Sequence, residues 1–230
     1  MADDIDLNQL LADHLLSKNK IIQHRDVDGF FHPSGIGKCT RKLWYAYCTQ
    51  EPKHNISVKL RCTFDHGHAV HDWMQSVFHE IFDQTDIVFM TELSIRDQEY
   101  ANTFALDNNM AGRTDGLIIL PNGSRMIYEL KTASDSSWSR TTKPQEAHVK
   151  QASIYAECFN ADTIVFQYYN KNSDVSKFFY VPKDANAVNR AKEQIDSVFE
   201  HLDEGKEPKK QYNSWECGSC SYYSECRPET

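Results

Sequence analysis

The sequence predicts an α/β protein, and three observations carry that reading. Strand-like and helix-like periodicities alternate through the middle of the chain, a turn stretch joins two apolar runs there into a hairpin, and the composition supplies a core. Of the 230 residues, 40% are hydrophobic and 25% charged, which suits one large domain with a small appendage. The formal net charge of -8 argues against a protein that coats nucleic acid through bulk electrostatics, while a local basic groove on an acidic body stays open.

Ile5, Leu7, Leu10, Leu11 and Leu15 share one face of an N-terminal amphipathic helix. The stretch "HGHAVHDWMQSVFHEIF" repeats the pattern with Val70, Trp73, Met74, Val77, Phe78 and Ile81, and both helices are expected to pack on a sheet. Strands are expected over 87–95, 113–120, 125–132, 163–169 and 175–181, with a helix over 145–159 between the third and fourth. The polar stretch "TASDSSWSRTTKPQEA" reads as a long, mobile loop. A last long helix carries Val188, Ala191, Ile195, Val198, Phe199 and Leu202 at helical spacing. It runs to the charged break "DEGKEPKKQ" and a short cysteine-rich tail too small to hold itself together. The acidic start "MADDIDLNQL" is no signal peptide, and no segment approaches the roughly 20 apolar residues of a membrane span, so a cytosolic protein without a membrane partner is expected.

The hairpin turn is "LPNGS". Pro121 presets φ, Asn122 suits the next position and Gly123 takes the left-handed conformation, which gives a type I turn closed by a Gly bulge. Pairing Leu120 with Ser124 then places Asp115 directly opposite Glu129, with Lys131 on the same face; a two-residue loop would send Asp115 to the other face. Opposed carboxylates repel and need a cation. That cation is either a divalent metal with oxygen ligands, or the partner in a salt bridge from Glu129 to Lys131 or Arg113 on a solvated face.

With "GRTDGLIIL" followed by "YELKTA", the chain resembles the PD-(D/E)XK nuclease superfamily, in which an Asp on one strand and E-x-K on its neighbour form the metal site. Three further stretches narrow the resemblance to the RecB-like branch, and within it to the CRISPR-associated Cas-four type iron-sulfur exonucleases and their phage relatives. "GHAVHD" offers His71 after Gly67, "QASIY" sets Gln151 and Tyr155 one helical turn apart, and "WECGSCSYYSECRP" holds Cys217, Cys220 and Cys226. Outside this context His71 reads as a surface histidine and Tyr155 as a core aromatic.

The resemblance implies a restriction-endonuclease-like core, a central mixed β-sheet flanked by helices, spanning 1–230 as one nuclease domain. It implies Mg²⁺ or Mn²⁺ held by His71, Asp115, Glu129 and the carbonyl of Leu130, with Lys131 positioning the attacking water and Gln151 and Tyr155 holding the substrate strand. Glu92 is a further carboxylate for the metal or its surroundings, or else a surface side chain. Three tail cysteines leave a tetrahedral thiolate site one ligand short. The resemblance supplies Cys39, in "GKCTRKLWY", as the fourth, so that residues 206–230 with Cys39 form a 4Fe-4S subdomain joining the N- and C-terminal segments. Four thiolates also bind structural Zn²⁺, which is the alternative. Cys48, Cys62 and Cys158 are left as ordinary thiols.

For DNA contact the local clusters are Lys38, Arg41 and Lys42, then Lys59 and Arg61, then Lys209 and Lys210. Trp44, Tyr45 and Trp215 offer bases a stacking surface or pack around the cysteines. The expected activity is a metal-dependent exonuclease on single-stranded DNA or DNA ends, 5′ to 3′ as is common in the resembling families. Recombination, repair or processing is its setting, with a helicase or recombination protein as partner. The alternative is a non-catalytic DNA-end binding module of a recombination or CRISPR-adaptation complex.

Overall fold

The computed structural model describes residues 6–17, 29–48, 57–211, 213–218 and 220–226; Ile5 and the side chain of Trp215 lie outside them. Three helices precede the sheet or its first strand: α1 (Leu7–Ser17), α2 (Thr40–Cys48) and the long α3 (Val58–Phe82). Then come β1 (Val88–Ser94), a short α4 (Phe104–Asp107), β2 (Arg113–Ile119) and β3 (Arg125–Ala133). The second half holds α5 (Asp135–Arg140), α6 (Glu146–Cys158), β4 (Thr163–Asn170), β5 (Val175–Pro182), α7 (Ala185–Asp203), α8 (Ser214–Gly218) and α9 (Tyr223–Cys226). Ser57 starts α3 by accepting the Leu60 N–H at 3.2 Å, and Asp184 starts α7 by accepting the Ala187 N–H at 3.0 Å.

The five strands form one mixed sheet in sequence order. Every neighbouring pair is antiparallel except β3 and β4, which run parallel and need the α5–α6 crossover between them. One face, with Leu117, Ile127, Ile164, Phe166 and Tyr168, packs under α6 and α7 through residues such as Ala152, Ala156, Ala191, Ile195 and Val198. The opposite face, with Phe89, Ile118, Tyr128, Leu130 and Tyr169, is covered by α3 through Met74, Val70 and Phe78.

The β2–β3 turn has the expected form. Gly123 sits at φ 82, its N–H donates to the Leu120 carbonyl at 2.8 Å, and the Leu120 N–H donates to the Ser124 carbonyl at 2.9 Å. Pairing runs from Ile119↔Arg125 to Gly116↔Tyr128, the register that sets Asp115 against Glu129. Gly116 is needed for close approach, because a Cβ there would stand 2.6 Å from Phe89 Cε2 and 3.1 Å from Tyr128 Cδ1.

Two expectations are corrected. Helix α1 buries none of its residues and lies against α3 instead of the sheet, because α3 already occupies that face. The stretch after β3 is no open loop: it winds into α5. Trp138 Nε1 donates to the Tyr168 carbonyl at 3.1 Å, and Lys177 Nζ donates to the carbonyls of Trp138 and Thr141 at 2.9 and 3.1 Å. The tail, expected to be too small to hold itself together, makes contacts with the body of the protein. Tyr222, 1% exposed, stacks on Tyr45 with ring centroids 5.4 Å apart, and Arg41 donates to the Pro208 carbonyl at 2.9 Å and pairs with Glu207.

Candidate active site

Backbone pairing between β2 and β3 stops at Gly116↔Tyr128, and beyond it the two strands fork. β2 goes on pairing with β1 as far as Arg113, while β3 goes on pairing with β4. Asp115 bridges the start of the fork: its Oδ2 accepts the Leu130 N–H at 2.8 Å, in place of a backbone carbonyl. The Leu130 side chain is fully buried against α3, so this N–H is fixed in direction.

Glu129 is 1% exposed and its Oε1 accepts from Lys131 Nζ at 2.5 Å, while Arg113 stands exposed. The pair is thus a buried one, not a bridge on a solvated face. Glu129 Oε2 is buried with no hydrogen-bond partner. A buried carboxylate oxygen left unsatisfied costs a few kcal/mol, so this atom calls for a cation.

His71 comes from α3 and brings Nδ1 to 3.6 Å from Asp115 Oδ1. Of the other histidines on that helix, His68 is exposed and His79 Nε2 contacts Thr91 Oγ1 at 3.3 Å. Burial raises the Asp115 carboxyl, and burial with the Asp115 charge raises Glu129, so each is harder to ionise than an ordinary carboxylate. Burial pulls Lys131 down, but Glu129 and Asp115 together outweigh it and push the ammonium up. His71 is lowered by burial and by Lys131, which leaves a neutral imidazole able to act as a ligand.

On α6, Gln151 Nε2 lies 3.4 Å from Tyr155 Oη, and Tyr155 is 5% exposed. Its phenol is pushed up by burial and by the Glu129 charge and stays protonated. Tyr155 is therefore both a core aromatic and a neighbour of the carboxylates. Among the described residues, no three His, Cys, Asp or Glu side chains are gathered tightly enough to enclose an ion.

Glu92 has a backbone the sequence does not announce. It interrupts β1 at φ 51, opposite Asp115 in register, where an extended residue belongs. Gln75, 7% exposed on α3, donates one amide to both Glu92 Oε1 (3.2 Å) and the Asp115 carbonyl (3.0 Å). Gln75 carries no motif; only its place one turn after His71 marks it.

The four cysteines line one cavity of about 370 Å³ together with Lys38, Lys42, Lys210 and Tyr45. Burial pushes the Cys226 thiol up, and Cys39 and Cys220 are close enough to raise it further, while Arg41 and Lys210 pull it back. Of the expected DNA-contact residues, Arg41 and Arg61 are buried, at 9% and 8% exposure. Arg41 is spent on the tail, and Arg61 pairs with Asp65. Lys38, Lys59, Lys209 and Lys210 are exposed.

A mixed sheet with an Asp on one arm of its central hairpin and Glu-x-Lys on the other is the build of the α/β nucleases. Residues 88–227 match the model of the PD-(D/E)XK nuclease superfamily, and the chain belongs to that superfamily. In structure it is similar to the protein SSO0001, at 18% identity and a TM-score of 0.60 over 95% of this chain and 96% of that one. Two crystal structures of LHK-Exo, an alkaline exonuclease from Laribacter hongkongensis, one of them in complex with dAMP, align at 14% identity. Their TM-scores are 0.49 and 0.48, over 84% of this chain and 93% of each of those. No curated protein matches the chain in sequence. No helix among the described residues is long and apolar enough to cross a membrane.

Proposed function

We propose that the chain is a divalent-metal-dependent deoxyribonuclease that degrades single-stranded DNA or DNA from its ends, in the 5′ to 3′ direction, during recombination, repair or processing. The observation that carries the reading is Glu129 Oε2, a buried carboxylate oxygen without a partner, beside Asp115 and a neutral His71. Superfamily membership supports the reaction class, and the ordered motif set supports the exonuclease branch.

His71 Nδ1, Asp115 Oδ1, Glu129 Oε2 and the Leu130 carbonyl would hold Mg²⁺ or Mn²⁺, hard carboxylates favouring the first and the imidazole the second. Such an ion supplies a more acidic bound water and polarises the phosphodiester. Lys131, kept charged by the carboxylates, acts as positioner of the attacking water and a local positive charge, not as a general base. Gln151 and the protonated Tyr155 hydroxyl hold the scissile phosphate. Glu92, held by Gln75, is a further carboxylate at the same mouth.

The cysteine cavity would hold a 4Fe-4S cluster on Cys39, Cys217, Cys220 and Cys226, with a structural role. Its cationic rim of Lys38, Lys42 and Lys210 suits an anionic thiolate centre.

The test is release of nucleotides from end-labelled linear DNA with Mg²⁺ or Mn²⁺, beside the same DNA as a covalently closed circle. Wild type is expected to digest the linear DNA alone, and Glu129→Gln to be slower by at least about a hundredfold. Equal rates for wild type and variant would end the active-site assignment, and equal cutting of the circle would end the exonuclease reading. Anaerobic purification is expected to give brown protein; colourless protein with one equivalent of zinc would replace the cluster by zinc.

A further inference from the structure

Three residues of α6 share the face turned to the site: His148, Gln151 and Tyr155, at i, i+3 and i+7. Nothing so far uses His148. It is partly buried, and its Nδ1 lies 2.7 Å from the hydroxyl of Tyr168. The same hydroxyl accepts the Gln145 N–H at 3.1 Å. Tyr168 is 2% exposed and is the partner of Lys131 across the parallel β3–β4 ladder, so the two side chains rise from the sheet side by side.

The protons of this cluster can be assigned. Burial, with Lys131 adding to it, holds His148 down to about 4, so its ring is neutral. If Nδ1 carried the proton, it and the Gln145 N–H would both donate to Tyr168, and the phenolic hydrogen would be turned toward the Lys131 ammonium. With Nδ1 bare, Tyr168 donates to His148, accepts from Gln145, and keeps its second lone pair for Lys131. The second arrangement avoids facing a polar hydrogen with a cation.

Lys131 thus has Glu129 as its acceptor and Tyr168 as its neighbour across the ladder. A cation on Glu129 Oε2 would compete with the ammonium for that carboxylate's charge, and the Tyr168 hydroxyl is the oxygen carried by its ladder neighbour. We propose that His148 is a positioning residue for Lys131, acting through Tyr168: its bare Nδ1 accepts the hydrogen bond that the phenolic O–H donates and so turns an oxygen lone pair toward the ammonium. The inference rests on the nuclease reading above, in which Lys131 positions water.

The test compares His148→Asn, whose amide oxygen can take the place of Nδ1, with His148→Leu, Tyr168→Phe and the double variant His148→Leu/Tyr168→Phe. Both single losses are expected to lower kcat about tenfold with KM nearly unchanged, the double variant to be no worse than either, and His148→Asn to stay within about threefold of wild type. Losses that multiply in the double variant, a loss in KM alone, or equal losses for Asn and Leu would overturn the proposal.

The second readout needs no turnover. The Lys131 Cε–Hε resonance is followed by NMR in each variant, without metal and with Mg²⁺. It is expected to move in His148→Leu and Tyr168→Phe but not in His148→Asn, and most of all with Mg²⁺; a resonance blind to His148 would also overturn the proposal. Should wild type release no nucleotides, the nuclease reading falls on that result, while the resonance still decides whether His148 positions Lys131.

Discussion

Glu129 is held where its charge is costly. The carboxyls of Asp115 and Glu129 are raised by burial, and Glu129 by its neighbour as well, so the metal-free fold keeps protons that the unfolded chain releases. Below the ordinary carboxylate range both states are protonated and nothing is lost. As pH rises through that range toward the raised values, the folded state binds more protons than the unfolded one and stability falls; past the raised values both are ionised and the fall ends. Glu129→Gln also removes the partner of Lys131, so what the linkage fixes is the trend with pH: in EDTA the variant is expected to gain stability relative to wild type as pH rises through neutrality, while cleavage slows by at least about a hundredfold. Thermal melts of both proteins at about pH 5 and about pH 8 check it, since wild type should lose more between the two. His148 titrates with the opposite sign but is common to both proteins, so it cancels from that difference. At Gly116 the constraint is steric. Gly116→Ala would set a methyl group 2.6 Å from the Phe89 ring edge, and urea denaturation is expected to show a loss of about 1–3 kcal/mol.

Among the elements, the β2–β3 hairpin was legible because its instructions are local. Pro121, Asn122 and Gly123 fix the turn, the turn fixes the register, and the register brings Asp115 to Glu129. The fork beyond Gly116 was not legible, because it depends on Asp115 replacing a backbone acceptor for Leu130 and on Glu92 leaving the extended conformation. Helix α5 was missed for a similar reason. Its six residues are too few to carry a periodic signal, and what holds them is the distant Lys177, which reaches two carbonyls and lies 3.9 Å from the Trp138 ring centroid. Lys177→Met keeps the aliphatic stem and removes those bonds. It is expected to cost about 1–2 kcal/mol, and hydrogen exchange should quicken over 135–141 while the β2–β3 hairpin stays protected.

At the scale of the molecule, the α/β order and five strands could be read from periodicity, and the set of site residues from spacing within resembling motifs. The use of Arg41 could not: a basic residue beside Cys39 reads as a phosphate contact until the tail is seen folded over it. Cys39, 178 positions before Cys217 by subtraction of the residue numbers, reaches the tail cavity because α2 lies against α7 and Tyr45 stacks on Tyr222. Cys226→Ala is expected to lose the visible absorption of anaerobically prepared protein yet keep the far-ultraviolet circular dichroism of the wild type. A collapse of the dichroism would mean that the cysteines are needed for folding itself. The clasp of Arg41 on Pro208 and Tyr45 on Tyr222 has a consequence for the order of maturation. Where a small metal domain folds around its guest, binding and folding are one event; a proposed cofactor on a tail clasped by side chains predicts the other order, in which protein made without iron or zinc takes up the metal afterwards and then gains the absorption of the loaded protein.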